Sequence, residues 1–277
     1  MKNILRFGIN GNVLKTIALI AMVIDHIGFY FEPFLNTTIM FAFRYIGRIA
    51  MPIFTYLIVQ GFFHTKDFKK YVLRIGVWAV ITQLVTYGLM VINIVWVREY
   101  TAASYTYEKL NILFIYVITL VIIKILHEDL LVKKWGYNKN LSLKIISTVI
   151  IFILCIMLPI DYNIEAPILT VLFYYIEKLK IGFLINTEHI RKNLGKIVKL
   201  DNNQIWKGTY ICLLFAALVL LTIYLKLNVF TLFAIIPIAL YNGERGKKSK
   251  ILKNLFYFVF PVHHALLYSI AMIIMLT

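Results

Sequence analysis

Long apolar runs divide the chain into nine segments, and polar and charged residues gather in the connections between them. The runs cover residues 14–31, 39–63, 75–96, 110–126, 145–160, 165–185, 208–225, 229–241 and 254–276. A helix needs about 20 mostly apolar residues to cross a bilayer. The pattern therefore predicts an all-α, polytopic membrane helix bundle of about nine transmembrane helices, forming a single domain over residues 1–277. The eighth run is short for a crossing, so a full span and a re-entrant hairpin with the seventh run both remain open.

The cations between the runs lie on alternate connections. Of the 29 Lys and Arg residues, 21 fall in the N-terminal segment and in the connections after the second, fourth, sixth and eighth runs. The other connections contain Arg98, Lys109 and Lys226. Because the cytoplasmic loops of membrane proteins are enriched in Lys and Arg, this alternation predicts a multi-pass protein of the cytoplasmic membrane with a cytoplasmic N-terminus and an outward C-terminus.

The composition agrees with a membrane protein. Hydrophobic residues make up 61% of the 277 positions and charged residues 15%, against about 45–50% and about 25% in soluble domains. The apolar bulk excludes a disordered chain, and two isolated cysteines, Cys155 and Cys212, exclude a disulfide scaffold. The net charge of +16 is accounted for by topology and by anionic lipid headgroups. We therefore expect membrane lipids, and no nucleic acid, among the partners.

Two ionisable side chains, Asp25 and His26, lie within the first run. Such residues are costly inside a membrane and mark functional sites. Asp25 continues a stripe of small residues at helical spacing, formed by Ala18, Ala21 and Gly28. Because such stripes let helices pack closely, we expect the Asp25 carboxylate to point at a neighbouring helix. His26 lies about 100° further round the same helix.

The second run contains Arg44 and Arg48, one turn apart and on one helix face. We expect Arg48 to lie at the depth of Asp25 and to form a buried ion pair with it. Pro52 has no N–H, so the carbonyl of Arg48 loses its helical partner. A free carbonyl at membrane depth is tolerated beside a polar cavity, and we expect residues 47–52 to form its kinked wall.

The ninth run contains His263 and His264 shortly after Pro261, and we expect His263 at a similar depth to Asp25 and His26. A neutral imidazole beside a carboxylate suits general-base catalysis, and an arginine or second histidine can stabilise an oxyanion. The same groups would suit a proton-coupled transporter or flippase of a small anion, so both classes remain open. No HExxH or CxxC spacing is present, so no metal is expected.

A series of motifs in the chain resembles the TraX family. They read LKTIALIAMVIDHIG (14–28), IGRIAMPIF (46–54), GFFHT (61–65), LNIL (110–113), YNGERG (241–246) and FPVH (260–263), and they extend in order over nearly the whole chain. There are three departures. Gln60 stands where an acidic residue is expected before Gly61, Asn163 replaces a glycine after Asp161-Tyr162, and His264 doubles the closing histidine.

The TraX family is named for the conjugation protein that acetylates the pilin N-terminus, and it looks like a distant relative of integral-membrane acyltransferases. The resemblance implies acetyl-CoA as donor substrate, and an acceptor amine or hydroxyl on a pilin, peptide, glycan or lipid at the membrane. It also implies active-site roles for Asp25, His26, Arg48 and His263. We expect His26 to be the general base and Asp25 to orient it. Arg48 would balance Asp25 and polarise the acyl carbonyl, and His263 would be a second acid or base, with an exchange of the two histidines left open.

The remaining candidate residues follow from their positions. Arg74 and Arg245 are expected at the cytoplasmic mouth, where they would bind the phosphates of CoA together with Lys15 and Tyr71. The expected substrate or cavity residues are Arg44, Asn111, Asn242 and His264. A transporter and an assembly factor without chemistry are the alternatives to the acetyltransferase.

Overall fold

The computed structural model describes residues 8–92, 109–128, 137–194, 202–225, 228–247 and 249–276. The backbone of these ranges is helical, with isolated bridges at Ile9–Tyr241 and Leu110–Ile160. The α-helices are α1 (Gly11–Tyr30), α2 (Thr37–Gly47), α3 (Ala50–His64), α4 (Phe68–Ile92), α5 (Ile112–His127), α6 (Tyr137–Met157), α7 (Glu165–Leu194), α8 (Asn202–Tyr224), α9 (Ile235–Ala239) and α10 (Lys250–Leu276). Two 3-10 helices, Glu32–Phe34 and Val229–Ala234, follow α1 and precede α9.

Asparagine side chains fix where several helices begin. Asn10 accepts hydrogen bonds from the backbone N–H groups of Asn12 and Val13 at the start of α1. Asn36 does the same for α2, and Asn228 for the second 3-10 helix. An asparagine cap satisfies backbone donors that the helix itself leaves free. These helices therefore begin at defined points next to the apolar runs.

The prediction of an all-α, multi-pass membrane bundle is confirmed at the level of the helices. Five segments are long and apolar enough to cross a bilayer: Gly11–Tyr30, Thr37–His64, Phe68–Ile92, Tyr137–Met157 and Asn254–Met275. Shorter apolar helices cover Ile112–His127, Gly208–Tyr224 and Val229–Ala239. The count of nine crossings and the cytoplasmic N-terminus stay predictions.

The second apolar run is divided, as its proline predicted. The α2 helix ends at Gly47 and α3 begins at Ala50. In the break, the N–H of Arg48 bonds to the carbonyl of Tyr45 and the N–H of Ile49 to that of Ile46, the tighter pattern of a 3-10 turn. Pro52 then lies in the first turn of α3, where a missing N–H is tolerated.

Helix α1 lies against α2, α3 and α10, and Asp25 and Gly28 of its small-residue stripe contact α2. Ala18 and Ala21 are buried, which confirms the predicted packing face. A Cβ placed on Gly47 would overlap the side chain of Asp25, and one on Gly28 would lie 2.9 Å from Cβ of Phe43. The two glycines therefore let the backbones of α1 and α2 approach at the level of the Asp25 carboxylate.

Helix α6 shows the opposite pattern, because most of its surface is exposed. Only Asn140 and Cys155 are buried along it, whereas Ile146, Ile150 and Met157 are more than half exposed. Large apolar side chains on the outside of a bundle meet lipid in a membrane protein. The distribution therefore fits a bundle whose polar groups are directed inward.

We predict that Gly47→Ala lowers the free energy of unfolding by about 1–3 kcal/mol, because overpacking a close contact forces shifts of that order. Gly88→Ala is the matched control, since nothing lies within 4 Å of its added Cβ, and alanine there adds helix propensity. Thermal unfolding in detergent measures both variants. Equal melting temperatures for Gly47→Ala and the wild type would show that the α1–α2 contact is looser than described.

Candidate functional site

The carboxylate of Asp25 lies between two arginines where α1 contacts α2. Nη1 of Arg44 lies 2.7 Å from Oδ2 of Asp25, and Nη2 of Arg48 lies 3.6 Å from Oδ1. The three side chains are 15–27% exposed, so solvent screens the charges only in part. A carboxylate and guanidinium pair strongly in such surroundings, and removing one partner strands the other.

Arg44, rather than Arg48, is the main partner of Asp25. The expected Asp25–Arg48 pair is present, but only Arg44 makes a short hydrogen bond, and its guanidinium also lies 5.5 Å from the centre of the Phe29 ring. The reason is the helix break. Because α2 ends at Gly47, Arg48 leaves the face that Arg44 occupies. The prediction that made Arg48 the principal counter-charge and Arg44 only a cavity residue is therefore corrected.

Arg48 has a second partner, Tyr162, which the sequence reasoning missed. Nη1 of Arg48 donates a hydrogen bond to the Tyr162 hydroxyl oxygen at 3.0 Å. Tyr162 lies in the turn before α7 and, among the described residues other than glycine, it alone has a positive φ, of 56°. Burial raises the pKa of its hydroxyl, so this group stays protonated. The Asp161-Tyr162 dipeptide was visible in the sequence, but the left-handed backbone that aims the ring was not.

A cavity of about 600 Å³ opens beside the ion group. Its wall includes Arg44, Arg48 and Tyr162, together with the carboxylate-bearing Glu32 and Glu165. Glu32 follows the C-terminal end of α1 and Glu165 begins α7. The cavity therefore lies at the end of the bundle where α1 finishes, with both signs of charge in its lining.

His26 pairs with His263 on α10 and makes no described bond to Asp25. Nε2 of His263 lies 3.0 Å from Nδ1 of His26, and the ring centroids are 4.8 Å apart. Successive residues of a helix point about 100° apart, so Asp25 faces α2 whereas His26 faces α10. The expectation that Asp25 orients His26 is therefore wrong, and His263 takes that place.

The hydrogen bonds determine the tautomers of this pair. Nδ1 of His263 lies 2.7 Å from the carbonyl oxygen of Val259. A carbonyl only accepts, so Nδ1 of His263 carries a proton, and Nε2 of the neutral ring is an acceptor. Nδ1 of His26 must then donate to it. The neutral His26 ring is left with an unprotonated Nε2, which is the lone pair that a general base or nucleophile needs.

His264 joins the same cluster. Its Nδ1 lies 2.7 Å from the hydroxyl of Tyr30, and its ring centroid is 4.6 Å from that of His26 and 4.1 Å from that of His263. His264, expected as a substrate or cavity residue, therefore lies in the histidine cluster, and it is not among the lining residues of the described cavity. Along α1, His26 lies nearer the C-terminal end of the helix than its middle.

Three cations gather near the N-terminal end of α1. Lys15 lies close enough to Arg74 and Arg245 for electrostatic repulsion between them. Within the described part of the chain, no carboxylate forms an ion pair with any of the three. Nε of Arg74 is buried without a hydrogen-bond partner in the described structure. The structure thus brings together the cations expected at a phosphate site.

Two tyrosines border this basic cluster. The hydroxyl of Tyr71 donates to the carbonyl of Ile58 at 3.4 Å and packs so closely on Gly61 that a Cβ there would overlap it. Tyr257 on α10 lies within electrostatic range of Arg74 and Arg245. The sequence named Tyr71 but not Tyr257, which follows no motif and is placed only by the packing of α10 on α4.

Two expected cavity residues have structural roles instead. The Asn111 side chain caps α5 through the N–H of Leu113 and donates to the Ala79 carbonyl and to Gln83. Asn242 accepts from the N–H of Glu244, and its backbone N–H donates to the carbonyl of Ile9 at the opposite end of α1. Neither lines the described cavity, so both expectations are corrected. Their polar groups are occupied by ordering backbone.

Gln60, the first of the three departures, belongs to a separate buried cluster. Nε2 of Gln60 donates to Oε2 of Glu177 at 2.9 Å, and the hydroxyl of Tyr210 donates to the same oxygen at 2.5 Å. Lys180 lies 3.1 Å from the other oxygen. An acidic residue at position 60 would set two carboxylates against each other. The amide therefore allows the Glu177 carboxylate to be buried and fully bonded.

Comparisons with known proteins give one family. The family described as TraX protein matches residues 10–188. Residues of the chain are 45% identical over 75 positions to "Uncharacterized protein RP591" of Rickettsia prowazekii (strain Madrid E), covering 27% of this chain and 26% of that protein. They are 36% identical over 70 positions to "Probable fimbrial assembly protein FimC, serogroup H1" of Dichelobacter nodosus, covering 25% and 28%. The matches thus span about a quarter of each relative's length. No solved structure matches.

We predict that Arg44→Gln destabilises the protein more than Arg48→Gln, because only Arg44 makes the short bond to Asp25. Loss of a buried partner costs about 3–5 kcal/mol, and the Arg48 change should cost less because Asp25 keeps Arg44. Melting temperatures in detergent compare the two variants. A larger fall in melting temperature for Arg48→Gln than for Arg44→Gln would show that Arg48 is the principal counter-charge of Asp25.

Proposed function

The chain belongs to the TraX family, and on that premise we propose that it is an integral-membrane acetyltransferase. The donor would be cytoplasmic acetyl-CoA. The acceptor would be an amine or hydroxyl presented at the membrane. One observation carries the proposal: the hydrogen bond between His26 and His263 leaves Nε2 of His26 unprotonated inside an apolar bundle. A membrane-embedded imidazole with a free lone pair is equipped to move a proton or an acyl group.

The basic cluster supports the choice of donor. Lys15 and His26 lie on the same helix, 11 residues apart, which is about 16 Å along its axis. CoA has a polyanionic nucleotide and an extended pantetheine arm of comparable length. Phosphates bound by Lys15, Arg74 and Arg245 would therefore let the thioester approach His26 from inside the bundle. The buried, unpartnered Nε of Arg74 is the donor best placed to gain a phosphate oxygen.

In the proposed reaction, Nε2 of His26 takes a proton from the acceptor amine or hydroxyl as the acceptor attacks the thioester carbonyl. The tetrahedral intermediate collapses and expels the CoA thiolate, which takes up the proton from His26. His263 stabilises the transient imidazolium, because its Nε2 accepts from Nδ1 of His26. Its own Nδ1–H is held by the Val259 carbonyl. The histidine pair thus performs the work that the sequence had assigned to Asp25.

The cavity beside Arg44 and Arg48 is the proposed acceptor site. It lies near the C-terminal end of α1, whereas the basic cluster lies near its N-terminal end, so donor and acceptor would approach from opposite sides. Arg48 lines this cavity and would polarise the acyl carbonyl. A pilin is one candidate acceptor, in keeping with the word fimbrial in the name of one relative, and a peptide, glycan or lipid are the others.

We predict that His26→Gln lowers acetyl transfer by about 10²–10⁴-fold, the contribution typical of a general base. Release of CoA from acetyl-CoA by purified protein in detergent, with a peptide amine as acceptor, measures the rate. His64→Gln is the matched control, because His64 bonds to the Gln60 carbonyl and lies outside the histidine cluster. Equal rates for His26→Gln and the wild type, with both variants folded, would remove His26 from the reaction.

We further predict that Arg74→Gln raises KM for acetyl-CoA about tenfold or more with little change in kcat, since a hydrogen bond to a charged group contributes about 1.5–3 kcal/mol. Lys70→Gln removes the same charge from an exposed residue that pairs with Asp67, and it should leave KM unchanged. An equal rise in both variants would indicate general electrostatic attraction rather than a phosphate site.

A further inference from the structure

We infer that His26, His263 and His264 form a binding site for one divalent transition metal ion of the zinc class. One nitrogen from each ring lies within 4.8 Å of the others, and the cluster is drawn from two helices, α1 and α10. Imidazole nitrogen is a preferred ligand of Zn²⁺, Co²⁺ and Ni²⁺. The inference rests on the arrangement of the rings and does not require acetyl transfer.

One ligand distance already suits a closed site, and the three candidate ligand atoms lie within 4.8 Å of one another. Zinc binds imidazole nitrogen at about 2.0–2.1 Å, so ligands in a tetrahedral site lie roughly 3.3 Å apart. Nε2 of His263 and Nδ1 of His26 are already 3.0 Å apart. The His264 ring, whose centroid is 4.1 Å from that of His263, would turn to bring its nitrogen into the same shell.

The groups behind the rings favour coordination. A metal-bound histidine usually donates its other N–H to an oxygen, which fixes the ring and its tautomer. Nδ1 of His263 is bound to the Val259 carbonyl, and Nδ1 of His264 to the Tyr30 hydroxyl. Nε2 is therefore the nitrogen left to coordinate in both rings, and Nε2 of His263 lies 3.0 Å from Nδ1 of His26. Two of the three ligands thus have their supporting hydrogen bonds in place.

Three histidines leave the fourth position of a tetrahedral ion open. The ion would also replace the hydrogen bond between His26 and His263. With Nδ1 of His26 on the metal, the proton of a neutral His26 ring must lie on Nε2, so the lone pair required of a base is lost. A bound ion would therefore inhibit the proposed acetyltransferase, a consequence that rests on the proposed function.

Titration with Co²⁺ tests the site directly. Protein purified in detergent is stripped with a chelator, dialysed and titrated with Co²⁺ without acetyl-CoA. We expect the visible absorption bands of four-coordinate Co²⁺ to saturate at one ion per chain, and Zn²⁺ to displace them. His264→Phe keeps a ring of similar size but removes a ligand, so it should abolish the bands. No bands in folded wild type, or unchanged bands in folded His264→Phe, would overturn the inference.

Two further variants separate coordination from a merely structural effect. Tyr30→Phe removes the hydroxyl behind His264 and should weaken Zn²⁺ affinity about 10–100-fold. His127→Gln changes a histidine that bonds to Tyr174 outside the cluster and should leave affinity unchanged. Equal affinity in Tyr30→Phe and the wild type would also contradict the assignment. Protein that transfers acetyl groups but binds no Co²⁺ would contradict this inference alone. Protein that binds Co²⁺ but, when free of metal, never releases CoA from acetyl-CoA would contradict only the proposed function.

Discussion

The buried carboxylate of Asp25 constrains the whole site, because an isolated charge at this depth would be very costly. It is compensated by Arg44 at 2.7 Å and, more loosely, by Arg48. That compensation requires α2 to lie directly against α1, which Gly47 permits by carrying no side chain. Two consequences follow from one contact: α1 and α2 are held in register, and the arginines border a cavity.

Helix α1 therefore presents two different chemistries on adjacent residues. Asp25 is directed to α2 and its arginines, whereas His26 is directed to α10 and its histidines. The first interaction is ionic and holds the architecture. The second is a chain of neutral hydrogen bonds that ends in a free ring nitrogen. The two neighbouring side chains therefore have separate partners on different helices.

The sequence was sufficient for the type of fold and for most of the residues of the site. The long apolar runs predicted the helices, the small-residue stripe predicted a packed face on the first helix, and the cost of buried charge singled out Asp25 and both arginines. It failed where the outcome depended on ring direction. Neither the pairing of His26 with His263 nor the left-handed turn at Tyr162 leaves a periodic signal.

The sequence contained no hint of the histidine cluster that we propose as a metal site, for a related reason. Its ligands come from adjacent residues on α10 and one residue on α1, a spacing that matches no short motif. Asn111 illustrates the opposite error, because a polar residue at a span end was read as a cavity group and is a helix cap. In both cases the residue type is compatible with more than one role, and the tertiary packing determines which role the residue has.

The central claim is that His26 takes part in acetyl transfer from acetyl-CoA, by moving the proton of the acceptor or by carrying the acetyl group. Comparative mass spectrometry of peptides, lipids and glycans from cells with wild-type or His26→Gln protein tests it most directly, provided that both proteins reach the membrane equally. The account predicts one or more acetylated species that are present with wild-type protein and absent with the variant, and these species would identify the acceptor. An identical acetylated inventory in the two cell types would contradict the account.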